Sequence, residues 1–371
     1  MKATDAEWRE YLKDRVAKGF SVVQVGPVPW WAGKTDREGR PAFLGDGIRQ
    51  WNPTFWQGYE RKIQMANRAG LVVLMVGVME PTTRYPDAAD ARLFARNIVA
   101  RLFGNFVIFS PSFDSGYMEL GNEVGRAIGD ATSVHLITQH PGTTTGRSTN
   151  TIAEAYFDQP YVAFAGNQTG HNGGRRSLCA SQAVNWNLHL YQRAPHKPVV
   201  NLEAVYDVDG KDAFNADDAR SLAYRSWFSG ALGYSYGTDL YQWVTDTSSP
   251  AYWRKAMALP SSEQMHHLRD FLAALPWWEL EPDHDRVLDQ PNNPVACSVL
   301  ARTGDGKLAL VCLPSAAPVR VKLDGLRGPL SASWFNPRTG KYIGPPSTVP
   351  ASGVHTFTPP EEGDWVLVLQ H

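Results

Sequence analysis

"NFVIFSPSFDSGYMELGNEVGRAIGDATSVHLITQHP" (residues 105–141) holds an apolar run, a Ser-Pro-Ser turn, a helix-period segment and a second apolar run. Tyr117, Leu120, Val124, Ala127 and Ile128 make one apolar stripe at helical spacing, with Glu119, Asn122, Glu123 and Arg126 on the opposite face. The stretch reads as strand, helix, strand. Two acids compete for the end of the first strand. If Glu123 ended it, only ten residues would remain before "VHLITQHP", and a crossover between parallel strands takes about a dozen or more. Glu123 is therefore a solvated helix residue. Asp114 comes just past "NFVIFSPS", with Ile108, Ser110 and Ser112 on its alternation face. A catalytic acid belongs there, although an Asp in that position also suits the N-cap of the helix that follows.

The same unit recurs along the chain. "FSVVQVG" (20–26), "LVVLMVG" (71–77), "NFVIFSPS" (105–112), "VHLITQHP" (134–141), "YVAFAGNQTG" (161–170), "PVVNLEAVYD" (198–207) and "ALGYSYGTD" (231–239) are short apolar runs separated by helical patterns. Fully apolar strands alternating with helices imply a parallel sheet covered on both faces. Seven such units in residues 1–283 predict a (β/α)8 TIM-type barrel whose first strand is missing from this chain or replaced by another segment. No G-x-G-x-x-G or Walker motif appears, which removes the usual nucleotide-binding alternative. Residues 284–371 change texture: "ACSVLARTG", "KLALVCLP", "VRVKLDG" and "DWVLVLQH" alternate apolar and polar between close turns. They predict a small antiparallel β-sandwich.

Composition narrows the classes of function. A net charge of −1 without charged blocks argues against nucleic acid or an anionic membrane surface as partner. No apolar run is long enough to span a bilayer, and the polar start "MKATDAEWREYLKDR" is not a signal peptide, so the default location is cytoplasmic. Cys179, Cys297 and Cys312, odd in number and widely spaced, predict neither a disulfide framework nor a metal cluster. The 13 Trp and 14 Tyr, many near Gly and Pro, suit either core packing or faces for sugar rings.

In a barrel of this kind the chemistry lies at the carboxyl ends of the strands. Glu203 closes "PVVNLEAVYD", with Asn201 on the same face. A charge there costs several kcal/mol to desolvate unless it is paired or functional. A salt bridge at the barrel mouth is its structural alternative. With "FSVVQVG" counted as the second strand, Asp114 follows strand four and Glu203 strand seven. Glycoside cleavage uses such a carboxylate pair: one acid protonates the departing oxygen, and the other acts as nucleophile or base. His140, Gln168, His171, Tyr206, Tyr236 and Trp243 follow other strands and are the candidate substrate-binding residues, with Asp207 and Tyr234 beside them. His266 and His267 of "MHHL" read as a helix-surface pair rather than as metal ligands.

"NFVIFSPSFD", "HLITQHPG", "FAGNQTGHN", "KPVVNLEAVYD", "GALGYSYGTD" and "LPWWELEPD" together resemble the apiosidase-like (β/α)8-barrel glycoside hydrolases, glycoside hydrolase family 140 and its relatives. The tail, with "FNPRTGKY" and "GDWVLVL", resembles the collagen-binding-like β-sandwich domain found in these proteins. The resemblance implies that Asp114 is the acid/base and Glu203 the nucleophile of a retaining glycosidase that needs no cofactor. Its substrate is then a plant or microbial polysaccharide or oligosaccharide, with apiose or arabinofuranose as candidate sugars. The family's Gly-Gly-Asp is replaced here by Ser112, Phe113 and Asp114. Two other readings stay open. One is a metal-dependent barrel hydrolase or isomerase using Asp114, His140, His171 and Glu203; the other is a non-catalytic carbohydrate-binding protein. The oligomeric state is left open.

Overall fold

The computed structural model describes every residue except 1, 27–34, 46, 78–86, 115–117, 145–148, 171–182, 208–213, 289 and 291–296. The chain divides into two compact units. Met1–Thr144, Thr151–Gln168 and Leu240–Trp253 form the first; Thr145–Asn150, Thr169–Asp239 and Arg254–His371 form the second.

In the first unit helices and strands alternate: α1 (Asp5–Ala17), β1 (Val22–Val25), α2 (Pro53–Arg68), β2 (Val72–Met75), α3 (Ala88–Leu102), β3 (Val107–Phe109), α4 (Met118–Ala131), α5 (Thr151–Phe157) and β4 (Ala165–Gln168). Local chemistry sets the helix starts. Thr4 and Glu7 form a capping box on α1, Asn52 caps α2 ahead of Pro53, and Asp87 caps α3. β1, β2 and β3 run parallel, with Val22 opposite Val72 and Val73 opposite Val107. Trp56, Ile63, Val73, Phe94, Ile98 and Phe109 are fully buried beside them, as a sheet covered by helices requires.

α4 is a helix as its stripe predicts, and Glu123 lies on its polar face, 2.7 Å from Arg92 and 3.0 Å from Arg126. "VHLITQHP", expected as a full strand, pairs through isolated bridges, one of them the parallel bridge of Ile137 with Phe109. Its backbone bonds run from Phe109 N–H to Leu136 and from Thr138 N–H to Phe109 on one side, and from Ala163 N–H to Ile137 on the other; side chains add to them. His140 N–H donates to Ser110 Oγ at 2.9 Å, and Thr138 Oγ1 donates to the Phe164 carbonyl at 2.8 Å.

The second unit contains α6 (Ala183–Gln192), β5 (Val199–Glu203), α7 (Ala216–Phe228), β6 (Ala231–Tyr234) and α9 (Pro260–Ala273); α8 (Trp253–Met257) precedes α9. β5 and β6 are parallel, and a further parallel bridge joins Tyr206 to Gly237 beyond their ends. The remaining strands are antiparallel: β7 (Leu280–Pro282), β8 (Val287–Leu288), β9 (Val299–Thr303), β10 (Leu308–Leu313), β11 (Val319–Lys322), β12 (Leu330–Asn336), β13 (Lys341–Val349), β14 (Val354–Phe357) and β15 (Trp365–Gln370). They form a six-stranded sheet in the order β13-β12-β15-β10-β9-β7 and a three-stranded sheet in the order β14-β11-β8. Leu300, Val311, Val321 and Leu367 lie in the core that the two sheets share. This antiparallel pairing starts at Leu280, opposite Thr303, ahead of the division at residue 283 read from sequence texture.

α7 is buried on nearly every face from Ala219 to Ser226, because it packs on β6 on one side and on β9 and β10 on the other. That burial traps charge. Arg220 is 1 % exposed, and its guanidinium forks onto Asp364 with Nε–Oδ2 at 2.9 Å and Nη2–Oδ1 at 2.7 Å. Its other donors reach Gln264 of α9 and Asp217. Phe335 of β12 lies against Phe271 of α9 and Tyr224 of α7. Burial pushes the phenol of Tyr224 far up, so it stays neutral.

Two sequence expectations change here. Cys297 is disulfide-bonded, whereas the cysteine count predicted no disulfide framework; Cys312 is buried and free, its thiol pushed up to about 12 by burial. Spacing along the chain does not report which cysteines approach in space. His266 lies 2.9 Å from Asp270, but His267 is seated against Gly340 of the antiparallel region rather than left on a free surface. Among the described residues no helix is long and apolar enough to cross a membrane.

Removing Asp364 takes the buried partner from Arg220 and leaves it with Gln264 and the exposed Asp217. Asp364→Ala is expected to destabilise the protein by about 3–5 kcal/mol in denaturant unfolding, and Arg220→Met with Asp364→Leu by clearly less. Equal losses in the two would show that the buried charge is not the cause. In the unreduced, unfolded chain, alkylation mapped by mass spectrometry should label Cys312 and leave Cys297 unlabelled until reductant is added.

Candidate active site

Each unit presents one of the expected carboxylates. In the first unit Asp114 is exposed, five residues past β3, and its backbone is left-handed with φ of 46°. Asp and Asn tolerate that region better than most residues, and such outliers gather at functional sites. Its N–H points to Nδ1 of His140 at 3.5 Å, and the His140 ring, itself buried, lies 4.6 Å from the ring of Phe113.

Beside Asp114 in the chain begins a run of neutral polar groups, buried at Ser110, Ser112 and Gln139 and half-buried at Tyr161 and Asn122. Ser110 Oγ donates to the Ser112 carbonyl, and Ser112 Oγ donates to Gln139 Oε1, both at 2.6 Å. Gln139 Nε2 then donates to the Tyr161 hydroxyl at 2.8 Å, and Tyr161 donates to Asn122 Oδ1 at 2.6 Å. Tyr161 can reach that position because α4 carries glycine beneath it: a Cβ on Gly125 would lie 2.3 Å from its ring. Burial pushes the Tyr156 phenol up to about 12 against a hydrogen bond with Ser112, so it too is neutral near pH 7. Ser112 was noted only as sharing the face of Asp114; Gln139 and Tyr161 were not singled out in the sequence, and nothing local marks them. Their partners are distant in the chain.

In the second unit Glu203 ends β5 and is 7 % exposed. The Tyr206 hydroxyl donates to its Oε1 at 2.5 Å. Its carbonyl accepts from the N–H groups of Thr169 and Gly170, at 2.9 and 3.0 Å. Asn201, two residues earlier on the same face, donates to Thr169 Oγ1 at 3.0 Å and to Ser226 Oγ at 3.2 Å. The strand end is thereby fixed on three sides. Asp207 is buried as well; Ser261 of α9 donates to its carboxylate, and Ser261 Oγ also lies 2.8 Å from the hydroxyl of Tyr236. Tyr234 donates to the Ala219 carbonyl at 3.1 Å, and burial raises its phenol above the ordinary range.

The structure thus brings Asp114 together with His140 in one unit, and Glu203 with Tyr206 in the other, where Tyr236 and Asp207 share Ser261. Gln168 is buried at the end of β4. Trp243 stacks on Trp253 at 4.8 Å and meets the edge of Tyr11 at 5.8 Å. Its ring therefore packs against the core of the first unit. His171 lies outside the described residues. Among the described residues no three His, Cys, Asp or Glu side chains are grouped to hold a metal ion.

Comparison with known proteins places this geometry. The fold aligns with a solved glycoside hydrolase at 20% identity and a TM-score of 0.83, over 100% of this chain and 89% of that one. A glycoside hydrolase family 5 structure from Bacteroides vulgatus aligns at 21% identity and a TM-score of 0.85, over 100% of this chain and 87% of that one. A family 30 endoxylanase from Clostridium papyrosolvens aligns more distantly, at 11% identity and a TM-score of 0.56, over 98% and 93% of the two chains. No curated protein matches. Residues 282–370 match the family profile described as "Putative collagen-binding domain of a collagenase". Residues 1–279 of the 371 match the profile described as "Apiosidase-like, catalytic domain", and the chain therefore belongs to the apiosidase-like family and is a glycoside hydrolase.

Proposed function

We propose that the protein is a retaining glycosidase in which Glu203 is the nucleophile and Asp114 the acid/base. The observation that carries this reading is Glu203 itself. It is a buried carboxylate at the end of a parallel strand, and a tyrosine hydroxyl holds one of its oxygens at 2.5 Å. The donated hydrogen bond favours the ionised, oriented carboxylate that a nucleophile for an anomeric carbon needs, against the burial that disfavours the charge. The parallel strands alternating with helices, and the fold shared with solved glycoside hydrolases, support a (β/α)8 barrel that ends near residue 283 and carries the sandwich after it.

Glu203, ionised, attacks the anomeric carbon while Asp114, protonated, donates to the departing oxygen. Asp114 then takes a proton from the water that releases the sugar and restores Glu203. The retaining version needs the two carboxylates about 5 Å apart. His140, Gln168 and Trp243 of the first unit and Tyr236 of the second are the candidate sugar-binding residues, with His171 carried over from the sequence reading alone. The family match supports a furanoside such as apiose or arabinofuranose as the substrate sugar. The disulfide at Cys297 favours an oxidising compartment over the cytoplasm, where disulfides are rare.

Sugar release by chromatography from apiosides, arabinofuranosides and pectic side-chain oligosaccharides tests the reading. Glu203→Gln is expected to lose at least about a thousandfold in turnover while keeping the wild-type melting temperature; near wild-type turnover would overturn the nucleophile. Asp114→Ala should lose kcat/KM on natural oligosaccharides yet keep much of kcat/KM, the measure of the first step, on aryl glycosides whose leaving group needs no proton. Equal loss on both classes would remove Asp114 from the acid role.

A further inference from the structure

Gly237 follows β6 in "YGTD" and has none of the local reasons for being glycine. Its backbone is not left-handed, so the conformational freedom of glycine is not what the position uses. The reason is space. A Cβ at Gly237 would lie 2.3 Å from Cε1 and 2.4 Å from Cδ1 of Tyr206, far inside the roughly 3.5 Å at which carbons touch. This is the ring whose hydroxyl donates to Glu203 Oε1 at 2.5 Å.

The backbone is tied at this point. Tyr206 and Gly237 form a parallel bridge, and Asp207 N–H donates to the Gly237 carbonyl at 3.1 Å. The Asp207 carboxylate is held in turn by Ser261 of α9. An added methyl must therefore displace the ring rather than part the strands. We infer that Gly237 is a positioning residue of the active site: its bare Cα seats the Tyr206 ring, and the seated ring aims its hydroxyl at Glu203. The inference rests on Glu203 being the nucleophile.

Two double-mutant cycles test it. In the first, melting temperature is read for Gly237→Ala, Tyr206→Ala and the pair. Gly237→Ala should lower the melting temperature of the wild type and leave that of Tyr206→Ala unchanged; additive losses would overturn the seat whatever the enzyme acts on. In the second, turnover and its pH profile are read for Gly237→Ala, Tyr206→Phe and the pair on the sugar released by the wild type. Gly237→Ala should lower kcat about 10- to 100-fold, with KM within about threefold. In the Tyr206→Phe background it should cost less than about twofold. Both single variants should move the acid limb of kcat/KM to higher pH, because the ionised carboxylate loses a donor. A full loss in the Tyr206→Phe background, or an unmoved acid limb, would overturn the positioning role. Full turnover by Glu203→Gln would instead overturn the nucleophile and leave the first cycle to decide the seat.

Discussion

A carboxylate at the end of an apolar strand is unfavourable by several kcal/mol unless its oxygens are engaged, and the second unit is organised around that constraint. Glu203 is buried, and Tyr206, three residues on, turns its hydroxyl back onto it. Tyr206 needs Gly237 beneath its ring, and Asp207 beside it needs Ser261 at the start of α9. The same unit contains a second buried charge, Arg220, whose guanidinium is matched by Asp364 on the segment leading into β15. α9 meets both arrangements, with Ser261 reaching Asp207 and Gln264 reaching Arg220. The antiparallel region is therefore built into the unit that carries Glu203, through a charge pair and the Phe335–Phe271 contact.

The first unit solves a different problem. Asp114 is exposed, and the run that begins beside it in the chain is neutral: two serines, a glutamine and a tyrosine joined by bonds of 2.6 to 2.8 Å. Such a chain fixes the loop after β3 through neutral groups. One carboxylate is desolvated and held by a hydrogen-bond donor, the other is solvated on a left-handed backbone.

What was legible in the sequence was what is periodic or local. The α4 stripe placed Glu123 on a solvated helix face, where Arg92 and Arg126 meet it, and the apolar run before Glu203 gave β5 its place. The antiparallel texture of the tail was equally plain. What failed was decided by partners far away in the chain. "VHLITQHP" has the composition of a strand, but its pairing is confined to bridges, and the His140 N–H goes to the Ser110 side chain. The disulfide at Cys297 depends on proximity that spacing does not encode. Gly237 gave no signal, since the ring that excludes a side chain there comes from another strand.

The most direct test of Glu203 as nucleophile is to trap it. The enzyme would be treated with an activated 2-deoxy-2-fluoro glycoside of the released sugar and digested, and the peptide containing "PVVNLEAVYD" weighed. A retaining mechanism at Glu203 predicts that peptide heavier by one fluorosugar, with fragmentation placing the label on Glu203 and no label in Glu203→Gln. A label on another carboxylate, or a product of inverted anomeric configuration with no label at all, would contradict it.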